Sequence, residues 1–270
     1  VAAEADTTRV AGAPREAPDL TDDAFLGGAL AILQPRTGYR AGLDAVLLAA
    51  AVPQATGMRV IDVGAGVGTA GLCLARRLAE ARVVLLEREE KLARIATDNI
   101  ARNGLGARVR AIAGDVGMSA DALAAAEIAD GSFDWAIANP PYHNVEAGTL
   151  PDDALKAAAH AMPEDELDRW ARFMTRLVRS GGGVTVVHKA DALQRVLEAL
   201  AKRFGALRVL PLQPRAGAPA HRIIVAGVKG SRAPLTILPG FVLHEADGSF
   251  TPQAQAILRS GAPLSMAPAL

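Results

Sequence analysis

One cysteine, Cys73, stands in a chain of 270 residues. A disulfide framework and a zinc site of clustered cysteines are both excluded. His160, His188, His221 and His244 follow no metal-ligand spacing, so no metal site is expected. Net charge is lacking too, because 29 basic residues balance 29 acidic ones. That argues against a surface coated in positive charge and leaves room only for a local basic patch. No apolar run approaches the ~20 residues of a membrane-spanning helix. The stretch from Val46 to Val52 is short and follows Asp44. Glu4 and Asp6 precede no apolar stretch, unlike a secretory signal. These absences predict a soluble protein of a reducing compartment, the cytoplasm. Solenoid or propeller repeats are missing as well.

What is present is enough for a core: half of the residues are hydrophobic and 21% are charged. Residues 1–20 are rich in Ala, Pro and charge without periodicity and are expected to be a flexible tail. Residues 21–56 carry a short hairpin about Gly27-Gly28 and a helix after Asp44 that stops before Pro53. Residues 57–232 alternate strand-like and helical patterns, the signature of a doubly wound α/β fold. Seven strands are predicted, at Met58–Val63, Arg82–Glu87, Ala107–Ala113, Phe133–Ala138, Gly183–His188, Leu207–Leu212 and Ile223–Val228. Only Gln213 to His221 separates the last two, too little for a crossover helix. They form a terminal antiparallel hairpin on a mainly parallel sheet. Residues 233–270 read as a C-terminal hairpin turning at Asp247-Gly248, a short helix opened by Thr251-Pro252, and a tail.

Chemistry concentrates where strands end. Asp62-Val63-Gly64-Ala65-Gly66-Val67-Gly68 closes the first strand and opens a helix, a place where bare backbone approaches a ligand. The dinucleotide fingerprint would need glycine where Thr69 stands, which disfavours a nicotinamide cofactor. Glu87 closes the second strand, where a carboxylate can accept from ribose hydroxyls; Glu89 and Glu90 read as the next helix's first turn. Asp115 and Val116 follow the third strand; alone, Asp115 reads as a helix cap. Asn139-Pro140-Pro141-Tyr142 follows the fourth strand and is the strongest signal. Two prolines fix the backbone and leave carbonyls as free acceptors. The Asn139 side-chain oxygen and the Pro140 carbonyl could accept both N–H bonds of a planar amine, with the Tyr142 ring as a stacking face. A rigid turn is the plainer alternative, but the carboxyl edge of a central strand is where open α/β sheets bind ligands.

Together these segments resemble the class I S-adenosylmethionine-dependent methyltransferases that act on amino nitrogen. More closely, the chain is similar to the bacterial tRNA1(Val) adenine-37 N6-methyltransferase family. Gly38 to Leu48, His221-Arg222-Ile223 and Leu243 to Gly248 carry that closer likeness, which covers roughly residues 22–258. The resemblance implies a Rossmann-like fold, S-adenosyl-L-methionine as cofactor with S-adenosyl-L-homocysteine as product, and structured RNA, tRNA first, as partner. By resemblance, Gly64, Ala65, Gly66 and Gly68 line the methionine half of the cofactor, with Asp62 towards its amino group and Asp44 closing that end. Glu87 holds the ribose, and Asp115 and Val116 bracket the adenine. Asn139, Pro140 and Pro141 grip the target amine, and Tyr142 stacks on its ring. His143 reads as a surface loop residue rather than a base, and Cys73 and Trp135 as core.

From Arg169 to Arg232 thirteen basic residues face two acidic ones, Asp191 and Glu198. Most read as solvated helix faces. Arg215, Arg222, Lys229 and Arg232, on the terminal hairpin and its exit, are the expected phosphate contacts. Methylation of a protein glutamine, of rRNA or of DNA uses the same Asn-Pro-Pro-Tyr chemistry. A glutamine methyltransferase would carry a helical N-terminal domain, and a DNA enzyme a target-recognition domain. A binding module with a dead site is opposed by the intact Asn139 to Tyr142.

Overall fold

The computed structural model describes residues 19–38, 40–141 and 166–267. The chain opens with an antiparallel hairpin, β1 (Leu20–Phe25) and β2 (Leu30–Pro35), turning through Leu26–Gly28. Helix α1 (Leu43–Ala50) follows. Then β3 (Arg59–Val63), α2 (Thr69–Arg77), β4 (Arg82–Glu87), α3 (Glu90–Arg102), β5 (Val109–Ala113), α4 (Ala120–Ala125) and β6 (Phe133–Ala138) alternate. After the undescribed stretch come α5 (Glu166–Leu177), β7 (Val178–Lys189), α6 (Leu193–Ala201), β8 (Phe204–Arg215) and β9 (Arg222–Lys229). The last elements are β10 (Thr236–Ile237), β11 (Phe241–His244) and α7 (Pro252–Ser260).

The main sheet runs β10-β8-β9-β7-β6-β3-β4-β5, with β11 also on β8. All pairs are parallel except those of β9, which is antiparallel to β7 and β8. The seven predicted strands and the terminal antiparallel pair are therefore present. Two strands run longer than expected: β7 starts at Val178 and β8 spans Phe204–Arg215, each 12 residues rather than six. The C-terminal segment also differs from the expected hairpin. Strands β10 and β11 both add parallel to β8, and only His244 and Phe250 bridge antiparallel across the Asp247-Gly248 turn. The exposed edge of β8 offers unpaired backbone groups, which recruit these strands more fully than a two-stranded hairpin could pair itself.

Both faces of the sheet are covered, as buried parallel strands require. One core joins α1, α2, α3, α7 and the N-terminal hairpin; the other lies under α4, α5 and α6. The hairpin is tied on by two asparagines one helical turn apart. Asn99 accepts from Leu33 N–H at 2.7 Å and donates to the Leu33 and Val67 carbonyls at 3.0 Å each. Asn103 accepts from Ala31 N–H at 3.0 Å and donates to its carbonyl at 2.9 Å. Asn99 on α3 and Asn103 at its C-terminal cap thus satisfy alternate residues of the edge strand β2. Asn99 also fastens the hairpin to Val67 in the segment that follows Gly66.

Strands β3 and β6 are neighbours, yet β3 continues towards β4 and β5 while β6 leads to β7 on the other side. Val63 lies opposite Ala138 where the two strands end. A crevice opens at such a reversal, and in open α/β sheets ligands occupy it.

Candidate active site

The glycine loop springs from β3 at that reversal. Gly64 has φ +69°, a left-handed conformation that glycine adopts without strain. Its N–H and that of Ala65 both donate to the Leu86 carbonyl, at 2.8 and 3.0 Å, so the loop is pinned to β4. Gly68, at φ +89°, caps α2. A Cβ on Gly64 would strike the Trp170 ring, and one on Gly68 would lie 2.7 Å from Leu85 Cδ1.

Glu87 is 7% exposed and works on this loop directly. Its Oε2 accepts from Gly66 N–H and its Oε1 from Glu89 N–H, both at 2.8 Å. Each oxygen keeps a second lone pair, so the carboxylate can still take a hydroxyl. Asp62 lies beneath the loop. Its Oδ2 accepts from Gly71 N–H at 2.8 Å. Burial pushes its pKa up to about 7, with the nearby Glu87 carboxylate adding to the rise. Burial also pushes the Cys73 thiol up to about 12, that of an inert core residue.

A cavity of about 270 Å³ opens above the strand ends. Gly64, Gly66, Glu87, Asp115, Val116, Asn139 and Pro141 all line it. Asp115 is exposed there and its Oδ1 accepts from Gly117 N–H at 2.6 Å, fixing the turn after β5. Leu86, Leu92 and Val116 give the cavity apolar walls. Five expected residues lie outside the lining. Ala65 and Gly68 shape the loop from behind, Asp62 supports it from below, and Asp44 pairs with Arg222 at 2.9 Å. Pro140 is buried at the end of β6. Tyr142 and His143 lie outside the described residues.

Sequence reasoning missed one wall. Glu166, Arg169 and Trp170, at the start of α5, face the cavity. Trp170 shares its helical period with Phe173, Met174 and Leu177, so the pattern reads as plain core. Only the fold brings its ring against Gly64.

The expected phosphate contacts divide. In register, Lys189 pairs with Arg222 and Gly183 with Val228, so β9 begins at the cavity's edge of the sheet and ends at the opposite one. Eight residues at ~3.4 Å per step put Lys229 roughly 24 Å from Arg222. Lys229 is consumed as well: its Nζ donates to the Thr175 and Val178 carbonyls at 2.6 and 2.7 Å. It ties α5 to β7. Arg232 is exposed but follows β9 at that far edge. Arg215 and Arg222 stay on the cavity's edge, Arg222 already paired with Asp44. Pairing also shrinks the thirteen-cation cluster. Arg172, Lys202 and Arg203 converge on Asp168, whose pKa is lowered chiefly by its hydrogen bond with Arg203. Arg176 and Arg179 meet Asp130 and Asp134.

Residues 41–211 match the family model described as the methyltransferase small domain. The chain belongs to that family. A relative from Serratia proteamaculans, named tRNA1(Val) (adenine(37)-N6)-methyltransferase, is 29% identical over 236 residues, covering 82% of each chain. A relative of the same name from Bacteroides fragilis is 28% identical over 194 residues, 71% of this chain and 78% of that one. A solved structure described as a predicted O-methyltransferase from Agrobacterium tumefaciens has TM-score 0.70 and 30% identity, covering 82% of this chain and 98% of that one. The protein is a methyltransferase with S-adenosylmethionine as its methyl donor. The chain's own residues fit that donor: a backbone cradle without side chains at Gly64 and Gly66, a carboxylate at the end of β4, and apolar walls beyond it.

Proposed function

We propose that the protein methylates N6 of an unpaired adenine in a structured RNA, tRNA being the first candidate. The observation that carries the reading is the position of Asn139-Pro140-Pro141. It leaves β6 at the sheet's reversal, and Asn139 and Pro141 share the cavity wall with Gly64 and Glu87. The names of the relatives from Serratia and Bacteroides support the same substrate. A hydroxyl acceptor, as the Agrobacterium structure's description would suggest, offers one hydrogen; paired acceptors at Asn139 and Pro140 suit the two hydrogens of an amine. A cytoplasmic location follows from such a substrate. Among the described residues no helix is long and apolar enough to cross a membrane, and no group of three metal-ligating side chains occurs.

When bound, S-adenosylmethionine supplies an electrophilic methyl group for one in-line displacement. The chain's task is to orient and to stabilise charge. Gly64 and Gly66 let the backbone approach the donor closely, and Glu87 is placed to accept from its ribose. Asp115 and Val116 form the far wall, where the donor's adenine would rest. The Asn139 side-chain oxygen and the Pro140 carbonyl accept the N–H bonds of the target amine. An aromatic amine is a poor nucleophile because its lone pair is delocalised into the ring. Two acceptors favour a pyramidal nitrogen and stabilise the positive charge that develops on it. The proton then passes to water, so no side-chain base is needed. Tyr142 supplies the stacking face for the adenine, which must leave its stack to reach the site.

The test compares two RNAs incubated with the purified protein and methyl-labelled donor. A hairpin with a loop adenine should gain N6-methyladenosine, and the same strand annealed to its complement should gain far less. Equal labelling of both, or label on protein alone, would overturn the reading.

A further inference from the structure

We propose that the stacked pair His244–Phe250, with the cleft beside it, is a docking site for a second, unpaired base of the RNA substrate. The proposal rests on the RNA reading above and names where that RNA is held. The two rings stack with centroids 4.6 Å apart and planes 25° off parallel. Phe250 is nevertheless 41% exposed, whereas Phe241 and Leu243 nearby point into the core. An aromatic ring held in place and left open to water is a ready platform for a base.

Hydrogen bonds hold the turn that carries the platform. The Gly248 carbonyl can only accept, so His244 Nδ1, 3.1 Å away, carries the proton and donates it. Glu245 and Ser249 close the turn, and Asp247 takes the Ser249 N–H and hydroxyl at 2.9 and 2.6 Å. Beside Phe250 lies an open cleft of about 890 Å³, between the turn of the N-terminal hairpin, the start of α1 and helix α7. No carboxylate lines it, while Gln255 and Arg259 do, both exposed. The Gln255 amide can donate and accept at once, as a base edge requires.

Position connects this surface to the reaction. His244 stands opposite Arg215, and Arg215 makes no ion pair among the described residues. Strand β11 is four strand spacings from β6, which puts the platform roughly 19 Å from Asn139 on the same edge of the sheet. An RNA strand of several nucleotides can cross that distance, its phosphates passing Arg215 and a base resting on Phe250. A stacking face, an amide and the arginines Arg215 and Arg259 together fit single-stranded RNA better than a peptide.

The test uses a hairpin RNA with an unpaired loop adenine, with 5-iodouridine replacing its loop uridines. Irradiation of the wild-type complex should cross-link the RNA within residues 241–255. Phe250→Ala should weaken RNA affinity roughly 5- to 150-fold, the worth of one stacked base. Methyl-donor affinity and the turnover rate at saturating RNA should stay unchanged, and Phe250→Tyr should restore binding. If the wild type methylates this RNA but cross-links elsewhere, or Phe250→Ala binds it normally, the docking site is wrong and the RNA reading stands. If the wild type neither binds nor methylates RNA, the RNA reading itself fails. Should Phe250→Ala not fold, the cross-link position and Gln255→Ala decide.

Discussion

Asn139 and Asp62 stand at or near the ends of paired strands, and they answer to different measurements. Asn139→Ala removes the proposed acceptor for the target amine and leaves the Gly64–Leu86 and Gly66–Glu87 hydrogen bonds that hold the glycine loop. Turnover should fall at least 100-fold, roughly the worth of a lost transition-state hydrogen bond, with methyl-donor affinity by calorimetry near normal. Unchanged turnover would remove the amine-gripping role. Asp62 makes a claim about pH. Its pKa is raised from 3.8 to about 7 by burial. A carboxyl raised on folding contributes most below its unfolded pKa and loses that contribution as pH rises through the folded value. Stability should therefore decline between about pH 4 and pH 7, by at most ~1.4 kcal/mol per unit from this group. Asp62→Asn keeps the acceptor for Gly71 and should flatten that decline in urea unfolding. A mutant as pH-dependent as the wild type would assign the effect elsewhere. Residues of this kind were legible because their signals are local: glycines at a strand end, and an asparagine before two prolines. Trp170 was not, since an aromatic on an amphipathic helix looks the same whether it faces a core or a cavity.

Helix α5 and strand β7 are joined by a lysine that the sequence offered as an RNA contact. Lys229→Ala leaves the Thr175 and Val178 carbonyls without their partner. The loss should be about 1.5–3 kcal/mol of stability, the range for hydrogen bonds from a charged group. RNA affinity should be unchanged, and a variant of full stability with weak RNA binding would reverse the assignment. Asn99→Ala should loosen the N-terminal hairpin, which hydrogen exchange at Leu33 would report as faster exchange than at the Val60 amide in the core. Strands β3 to β9 were legible because buried parallel strands are continuous apolar runs between helical patterns. The partners of Asn99 lie 32 and 66 residues away, and those of Lys229 51 and 54. The side chain alone says only that it is polar. For β10 and β11, alternation signalled strands but not that β8 would outcompete a local turn for them.

Across the whole molecule, the decisive feature is which edge of the sheet a charge occupies. Arg215 lies on the cavity's edge and Arg232 on the opposite one. If RNA spans the cavity's edge, Arg215→Ala should lower the salt exponent of binding by about 0.7–0.9, one phosphate's worth, and Arg232→Ala should leave it alone. Equal effects would mean that RNA wraps both edges. Sequence spacing could not separate these residues, because a strand of eight residues carries its two ends to opposite sides of the domain. The central claim, amine methylation of RNA at Asn139, is tested most directly by nucleoside mass spectrometry. The hairpin RNA is incubated with methyl-labelled donor and either wild-type protein or Asn139→Ala. The account predicts labelled N6-methyladenosine with the wild type and none with the mutant; label on a ribose oxygen, on protein, or equally in both samples would contradict it.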